Sequence, residues 1–307
     1  MNIYIAGAFM IGFMPGQLSH LKLSPFEQSI VTATPHNLDS YHYIHKQSIV
    51  DDIRRIGGKT FLDSGAFSAW TLGKPINIDD YIDYVHRNVD IIRVDEGTLM
   101  FSVLDGIGDA KLTWENQAYM ERKGLRPLPC FHAGEDFAYL DWYVKNYEYI
   151  TLGGMVGASS DTLIKWLDIV WDKHLLDGAG KPRIKVHGFG ITAVPIMERY
   201  PWWSVDSSSW AQTARYGSIL MPEGLGQLEV SNRSPARHEL GKHLFTMSEA
   251  ERQVLLTKIA AQGFDIDRLT NFFYARAAYN IWSYNQIGYE IDAIRADAVA
   301  IRMQELF

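Results

Sequence analysis

The residues of this chain that could do chemistry stand at the ends of short apolar runs. Three carboxylates lead: Asp63 follows Thr60-Phe61-Leu62, Asp105 follows Ser102-Val103-Leu104, and Asp206 follows Trp203-Ser204-Val205. His132, after Leu128-Pro129-Cys130-Phe131, and His187, after Ile184-Lys185-Val186, hold the same position, as does Gly153-Gly154 after Tyr149-Ile150-Thr151-Leu152. A pair of carboxylates can divide nucleophilic and acid/base work between them. In Asp63-Ser64-Gly65-Ala66-Phe67 two small residues let the backbone approach a planar ligand, and Phe67 can stack on it. Gly153-Gly154-Met155-Val156-Gly157 offers bare amides to a carbonyl but lacks the Lys-Ser/Thr of a phosphate loop. Behind Asp206, the hydroxyls of Ser207, Ser208 and Ser209 can hydrogen-bond an ionised carboxylate and hold its pKa low, as a nucleophile requires. Any one of these Asp residues is equally an ordinary N-cap or turn residue, and the serines an ordinary hydroxyl turn. Their convergence is what points to an enzyme.

Convergence requires parallel strands. Apolar runs at Ile3–Gly7, Thr60–Gly65, Ile91–Asp95, Leu128–His132, Tyr149–Gly154, Ile184–Gly188, Trp203–Asp206 and, weakly, Gly217–Leu220 alternate with polar stretches. Asp109–Lys123, Asp161–Leu176 and Thr192–Tyr200 have helical spacing or composition. This alternation indicates a parallel sheet covered on both faces. About eight units predict an α/β fold, a (β/α)8 TIM-type barrel over residues 1–222, although Ser102–Asp105 leaves the strand count open. The active site of such a barrel lies at the C-terminal strand ends, where Asp63, Asp105 (with Asp95 as a less favoured substitute), His132, His187 and Asp206 fall. From 223 to 307 the pattern predicts a helical C-terminal extension. Ser248–Gln262 reads as a helix with Ser248 and Glu251 as a capping box and Val254, Leu255 and Ile259 on one face. Asn271–Gln286 and Glu290–Phe307 read as two more helices.

The chain has 307 residues, of which 47% are hydrophobic and 21% charged, enough for a core and too apolar for disorder. No run reaches the roughly 18 apolar residues of a membrane span. The apolar opening from Ile3 to Met14 lacks a positive n-region and reads as a buried strand, so a soluble, cytoplasmic protein is expected. Cys130 is the only cysteine, which excludes an intrachain disulfide and a multi-cysteine zinc site. The 10 histidines show no His-x-His or His-Glu-x-x-His spacing, so no metal or other cofactor is expected. A net charge of −7 argues against broad electrostatic capture of nucleic acid but leaves room for a local basic groove. Its candidates are Arg215, Arg233, Arg237, His238, Lys242 and His243, each of which alone is as well explained as a solvated face.

Taken in order, Asp63-Ser64-Gly65-Ala66-Phe67, Gly153-Gly154-Met155-Val156-Gly157 and Asp206-Ser207-Ser208-Ser209-Trp210-Ala211-Gln212-Thr213-Ala214-Arg215-Tyr216-Gly217 resemble the signature loops of guanine transglycosylases. The resemblance spans roughly residues 1–220. tRNA-acting members usually carry a zinc subdomain built from several cysteines and a histidine, which this sequence lacks. Ser102-Val103-Leu104-Asp105-Gly106-Ile107-Gly108-Asp109 and Val186-His187-Gly188-Phe189-Gly190 resemble the zinc-free, phage and bacterial DNA-guanine transglycosylases. That resemblance implies exchange of guanine in DNA for a free 7-deazaguanine (preQ0-like) base. It implies Asp206 as nucleophile at C1′ and Asp63 as general acid/base. Asp105 would read the N1–H and 2-amino edge, His132 and the Gly154 amide would contact O6, and Phe67 and His187 would sandwich the ring. The implied partners are DNA and the free base, and the family analogy also suggests a homodimer. A tRNA-directed relative, a barrel hydrolase of N-glycosides and a non-catalytic nucleic-acid-binding homologue are the alternatives.

Overall fold

A computed structural model of the chain describes residues 1–13, 22–34 and 36–305; Met14 at the end of the apolar opening and Phe307 lie outside the described residues. Its strands are β1 (Asn2–Ala6), β2 (Asn37–Ser40), β3 (Phe61–Asp63), β4 (Val94–Asp95), β5 (Thr98–Leu99), β6 (Cys130–His132), β7 (Tyr149–Gly153), β8 (Lys185–Gly188), β9 (Ser204–Ser207), β10 (Ser218–Met221) and β11 (Gly226–Glu229). Among the described residues seven of them make one parallel sheet, ordered β3-β2-β1-β9-β8-β7-β6. All five residues of β7 are buried, as a strand covered on both faces must be. The last strand of the sheet, β9, pairs with the first, β1, in the register Ile3 to Val205, and the sheet curls around that seam.

Helices return the chain between strands, and their starts are written in the sequence. Asp109 caps Ala110–Arg122 by accepting from Leu112 N, Asp136 caps Phe137–Asn146, and Ser159 caps Ser160–Val170. Each side-chain oxygen satisfies an amide that the first turn leaves without a partner. The result is a mixed α/β unit compatible with a TIM-like fold.

The edge strand β3 and Leu128, two residues ahead of the other edge strand β6, hydrogen-bond to the segment 100–103. Leu62 N donates to Met100 O (2.9 Å) and Ser102 N to Leu62 O (3.0 Å); Val103 N donates to Leu128 O (3.0 Å) and Leu128 N to Phe101 O (2.8 Å). Tyr4, Leu38, Phe61, Met100, Leu128 and Tyr149 bury one another in a single cluster.

Three expectations about the strands need correction. β2 was not anticipated, because Asn37-Leu38-Asp39-Ser40 holds one aliphatic residue. Its Asp39 is nonetheless buried and accepts from Thr60 Oγ1 at 3.2 Å. Ile91–Asp95 is not a strand of the main sheet. It begins in a 3-10 turn (Val89–Ile91), makes an isolated parallel bridge from Ile92 to Thr60, the residue before β3, and ends in the antiparallel hairpin β4–β5. Gly217–Leu220 is not an eighth unit either. Glu223, Gly224 and Gly226 all have positive φ and turn the chain back, so β10 pairs antiparallel with β11 in a separate sheet.

The chain divides into two compact units. One comprises Asn2–Ile11 and His36–Ser207 and holds the seven-stranded sheet; the other comprises, among the described residues, Met1, 12–13, 22–34 and 208–305. The second unit has its own core, formed around Ile219, Met221, Leu244, Ile259, Leu269 and Tyr279. Inside it, Arg268 forks onto both oxygens of the buried Glu27 carboxyl at 2.8 and 2.7 Å. The Ser248–Glu251 capping box starts a helix over Glu249–Ala261. Ile259 is buried there, whereas Val254 is 67% exposed and does not belong to the buried face. Phe273–Glu305 is one helix rather than two. Gly288 costs a helix about 1 kcal/mol without breaking it, and Tyr284, Ile287 and Ile291 bury around it. Among the described residues no helix is long and apolar enough to cross a membrane.

Candidate active site

Parallel strands deliver Asp63, His132, Gly153, His187 and Asp206 to one end of the sheet, because each lies at or near the C-terminal end of β3, β6, β7, β8 or β9. Asp105 follows the 100–103 segment and lies beside His132.

Asp206 sits in β9 in register with Tyr4 of β1. Its Oδ1 accepts from Gly190 N at 2.8 Å and faces His187 Nε2 at 3.4 Å. His187 is fully buried. Its Nδ1 lies 2.7 Å from Ser204 Oγ, which lies 2.7 Å from the Tyr149 hydroxyl. Tyr4, Phe61 and Phe189 pack around the imidazole edge-on. No face of that ring is available to a base, so the expected stacking by His187 is corrected: it is a buried ring packed beside Asp206.

Asp63 closes β3. Its Oδ2 accepts from Gly65 N (3.0 Å), and its Oδ1 lies 3.5 Å from Ser102 Oγ, which accepts from Ser64 N (2.9 Å). Burial, and then the charges of Asp105 and Asp206, push the Asp63 carboxyl up to about 7. Burial likewise pushes Asp105 up to about 6, against the opposing pull of His132 and the Cys130 thiol. Environments that raise one carboxyl beside another are how a site assigns acid and base.

His132 is held from its other side. Its backbone N–H donates to Glu135 Oε2 (2.9 Å) and Nδ1 donates to Glu135 Oε1 (3.0 Å), which leaves Nε2 toward Cys130 Sγ (3.5 Å) and Asp105 Oδ1 (3.9 Å). Burial disfavours the charged ring; Cys130, Glu135 and Asp105 outweigh it, and the His132 pKa is raised. Burial pushes the Cys130 thiol up to about 11.

The glycines are demanded by packing. A Cβ on Gly153 would lie 2.8 Å from His132 Cδ2 and 3.1 Å from Cys130 Sγ. One on Gly65, where φ is +76°, would meet Ser40 Oγ at 2.2 Å and His42 Cβ at 2.7 Å. Gly153→Ala is therefore expected to displace the His132 ring and to cost about 1–3 kcal/mol of stability by overpacking. Urea denaturation measures the second effect; an unchanged midpoint would show that β7 yields without cost.

Ser64 and Met155 are buried, whereas Gly154 and Phe67 are exposed, Phe67 with its ring beside Trp70. A cavity of about 500 Å³ is lined by Ala66, Trp70, Pro75, Ile76, Leu104 and Asp105, among others. It reaches the carboxyl cluster at Asp105 and has room for a purine-sized ligand. Asp95 is elsewhere: its Oδ2 accepts from Trp203 Nε1 (3.0 Å), and Lys185 covers that indole. Trp203 precedes β9 and Lys185 opens β8, so Asp95 lies at the opposite strand ends and does not replace Asp105.

Of the basic candidates, Arg215, Arg233, Arg237, His238 and Lys242 are exposed. Arg237 donates to Asn232 O, and Lys242 pairs with Glu239. They belong to the second unit; the last four lie in or beside a short 3-10 turn (Pro235–His238), not on a long helix. His243 is fully buried, accepting from Phe245 N on Nδ1 and bonding Ser231 O through Nε2. It is a structural cap, which corrects its expected contact with nucleic acid.

Cys130, Glu135, Gly190 and Ser204 were missed. Cys130 and His132 are two apart on one strand and so share a face, a signal present in the sequence. No family model and no curated protein matches the chain.

Proposed function

We propose that the chain is a transglycosylase that exchanges guanine in DNA for a free 7-deazaguanine (preQ0-like) base through a covalent glycosyl-aspartate on Asp206. The observation that carries this reading is the Asp63 carboxyl, raised by burial and by the charges of Asp105 and Asp206, at the same strand ends as an Asp206 held by Gly190 N with His187 beside it. The frame proposed for it is a complete (β/α)8 barrel, with the 100–103 segment as the stave between β3 and β6. The bonds from that segment to Leu62 of β3 and to Leu128 ahead of β6, and the shared cluster of Tyr4, Leu38, Phe61, Met100, Leu128 and Tyr149, support it.

The chemistry follows from the carboxyls. Asp206 Oδ1 is occupied by Gly190 N, so Oδ2 attacks C1′ of the deoxyribose. The C1′–N9 bond breaks, and Asp63 gives its proton to the departing guanine. The incoming base then loses its N9 proton to Asp63 and displaces Asp206, so two displacements give net retention. A carboxyl with a pKa near the working pH serves in both directions. Asp105 accepts from the N1–H and 2-amino group, His132 and the Gly154 amide meet O6, and Phe67 stacks on one face. Ser64, Gly65, Gly153 and Met155 shape the floor.

The target base must leave the duplex stack to reach these groups. We assign the phosphate contacts to Arg215, Arg233, Arg237, His238 and Lys242. Changing Arg233 and Arg237 to Ala is expected to flatten the salt dependence of DNA binding by about 0.9 log units per lost contact. An unchanged slope removes them from the interface.

Incubation with guanine-containing DNA and a 7-deazaguanine, followed by digestion and mass spectrometry of the nucleosides, tests the activity. Modified deoxyguanosine is expected. Abasic sites instead would make the chain a hydrolase, modified tRNA would change the substrate, and binding without either would leave a non-catalytic partner.

A further inference from the structure

We propose that Asp105, Cys130 and His132 form a binding site for one zinc-class divalent ion with an open coordination position. The site stands on geometry alone and does not depend on the transglycosylase reading.

One ligand atom from each of the three residues lies within 4.8 Å of the other two. Zinc bond lengths to sulfur, nitrogen and oxygen place the corners of its tetrahedron roughly 3.3–3.6 Å apart. Cys130 Sγ and His132 Nε2 are 3.5 Å apart, and His132 Nε2 and Asp105 Oδ1 are 3.9 Å apart. A closure of a few tenths of an ångström brings His132 and Asp105 to that spacing, and the Asp105–Cys130 pair, within 4.8 Å, closes on the ion by a turn of the carboxylate. The donors are one thiolate, one imidazole and one carboxylate, a mixed set that suits Zn2+ and disfavours Mg2+ or Ca2+, which take oxygen alone.

Two further observations point to a ligand. Asp105 Oδ1 is buried, belongs to a side chain with 9% exposure, and has no hydrogen-bond partner among the described residues, although it is aimed at the other two donors. A buried carboxylate oxygen left in that condition is costly unless something occupies it. His132 is also prepared as a ligand. Glu135 accepts from Nδ1 at 3.0 Å and from the backbone N–H at 2.9 Å, which fixes the ring and turns Nε2 toward the cluster. A carboxylate behind a histidine in this way is the usual outer support of a metal site. Gly153 completes it, since a side chain there would strike both His132 and Cys130 Sγ.

Three protein ligands leave the fourth position to water or substrate, the pattern of catalytic rather than structural zinc.

The test is metal content. The full-length protein, loaded with Zn2+ and desalted, is expected to retain about one zinc per chain by mass spectrometry. Chelator-treated protein given Co2+ is expected to develop thiolate-to-cobalt charge-transfer absorption in the near ultraviolet. Cys130→Ser should remove that band with the circular dichroism unchanged. Should Cys130→Ser fail to fold, Glu135→Gln keeps all three ligands and is expected to weaken zinc roughly 10–100-fold. Retention below about a tenth of an ion per chain, an unchanged cobalt spectrum in Cys130→Ser, or unchanged zinc affinity in Glu135→Gln would each overturn the site. None of these readouts involves nucleic acid, so failure here is distinct from failure of the exchange reaction.

Discussion

Asp206→Asn is expected to lower base exchange by at least about 10⁴-fold, the scale on which loss of a covalent nucleophile acts. The substitution is nearly isosteric. The carboxamide oxygen of the variant can still accept from Gly190 N, so the bond that anchors the end of β9 survives. What is lost is the anionic oxygen proposed to form the bond to C1′. The experiment compares mass-spectrometric incorporation in the two proteins and looks for a denaturation-resistant protein–DNA adduct when DNA is supplied without a second base. The parent should form the adduct and Asp206→Asn should not. Residual exchange within tenfold of the parent would move the nucleophile elsewhere. His187→Gln supplies the graded comparison: with the nucleophile present but its Nε2 contact altered, activity should fall without the adduct disappearing.

How much of this could be seen in the sequence follows from where each residue's neighbours lie. Asp63, His132 and Asp206 were legible because a polar residue closing a continuous apolar run is a local pattern, and parallel strands carry it to one end. The Ser248 cap was legible because its whole signal lies within four residues. β2 was not, since Asn37-Leu38-Asp39-Ser40 becomes a strand by pairing with β1 and β3 and by burying Asp39 against Thr60, contacts remote in sequence. His187 looked like a stacking ring because nothing local reveals that Tyr4, Phe61 and Phe189 enclose it. His243 misled for the opposite reason. It stands among exposed basic residues in sequence, while its own ring turns inward to Ser231. The division near residue 222 follows a change of local pattern, whereas the compact units divide at 207/208 and the second also takes in the described residues 12–13 and 22–34.

Asp63→Asn is expected to abolish exchange and to stabilise the fold at the same time, with opposite consequences that share one cause. The carboxyl's ordinary value is 3.8, and burial with the charges of Asp105 and Asp206 raises it to about 7 in the folded protein. A group raised on folding is most favourable to the fold when protonated. That stability is complete below the unfolded pKa, and it is lost progressively as pH rises toward and through about 7. The full span is worth about 4 kcal/mol at about 1.4 kcal/mol per pKa unit. Asparagine carries no charge at any pH, so its advantage over the parent should be near zero below pH 4 and greatest above pH 7. Urea midpoints across pH 4–8 measure it. Asp39, also raised to about 7 by burial, titrates in both proteins and cancels in the comparison. Exchange by the parent should need Asp63 protonated for departure of guanine and ionised for entry of the new base, so its rate should peak near pH 7. The variant, with neither form, should lose both limbs. A variant that gains no stability at pH 8 would mean that Asp63 is not held near 7, and the acid/base assignment would fail with it. A variant that gains stability and keeps exchange would leave the strained carboxyl in place and deny it the role. Stability given up at one buried carboxyl beside another is the cost expected of a residue kept for its proton rather than for the fold.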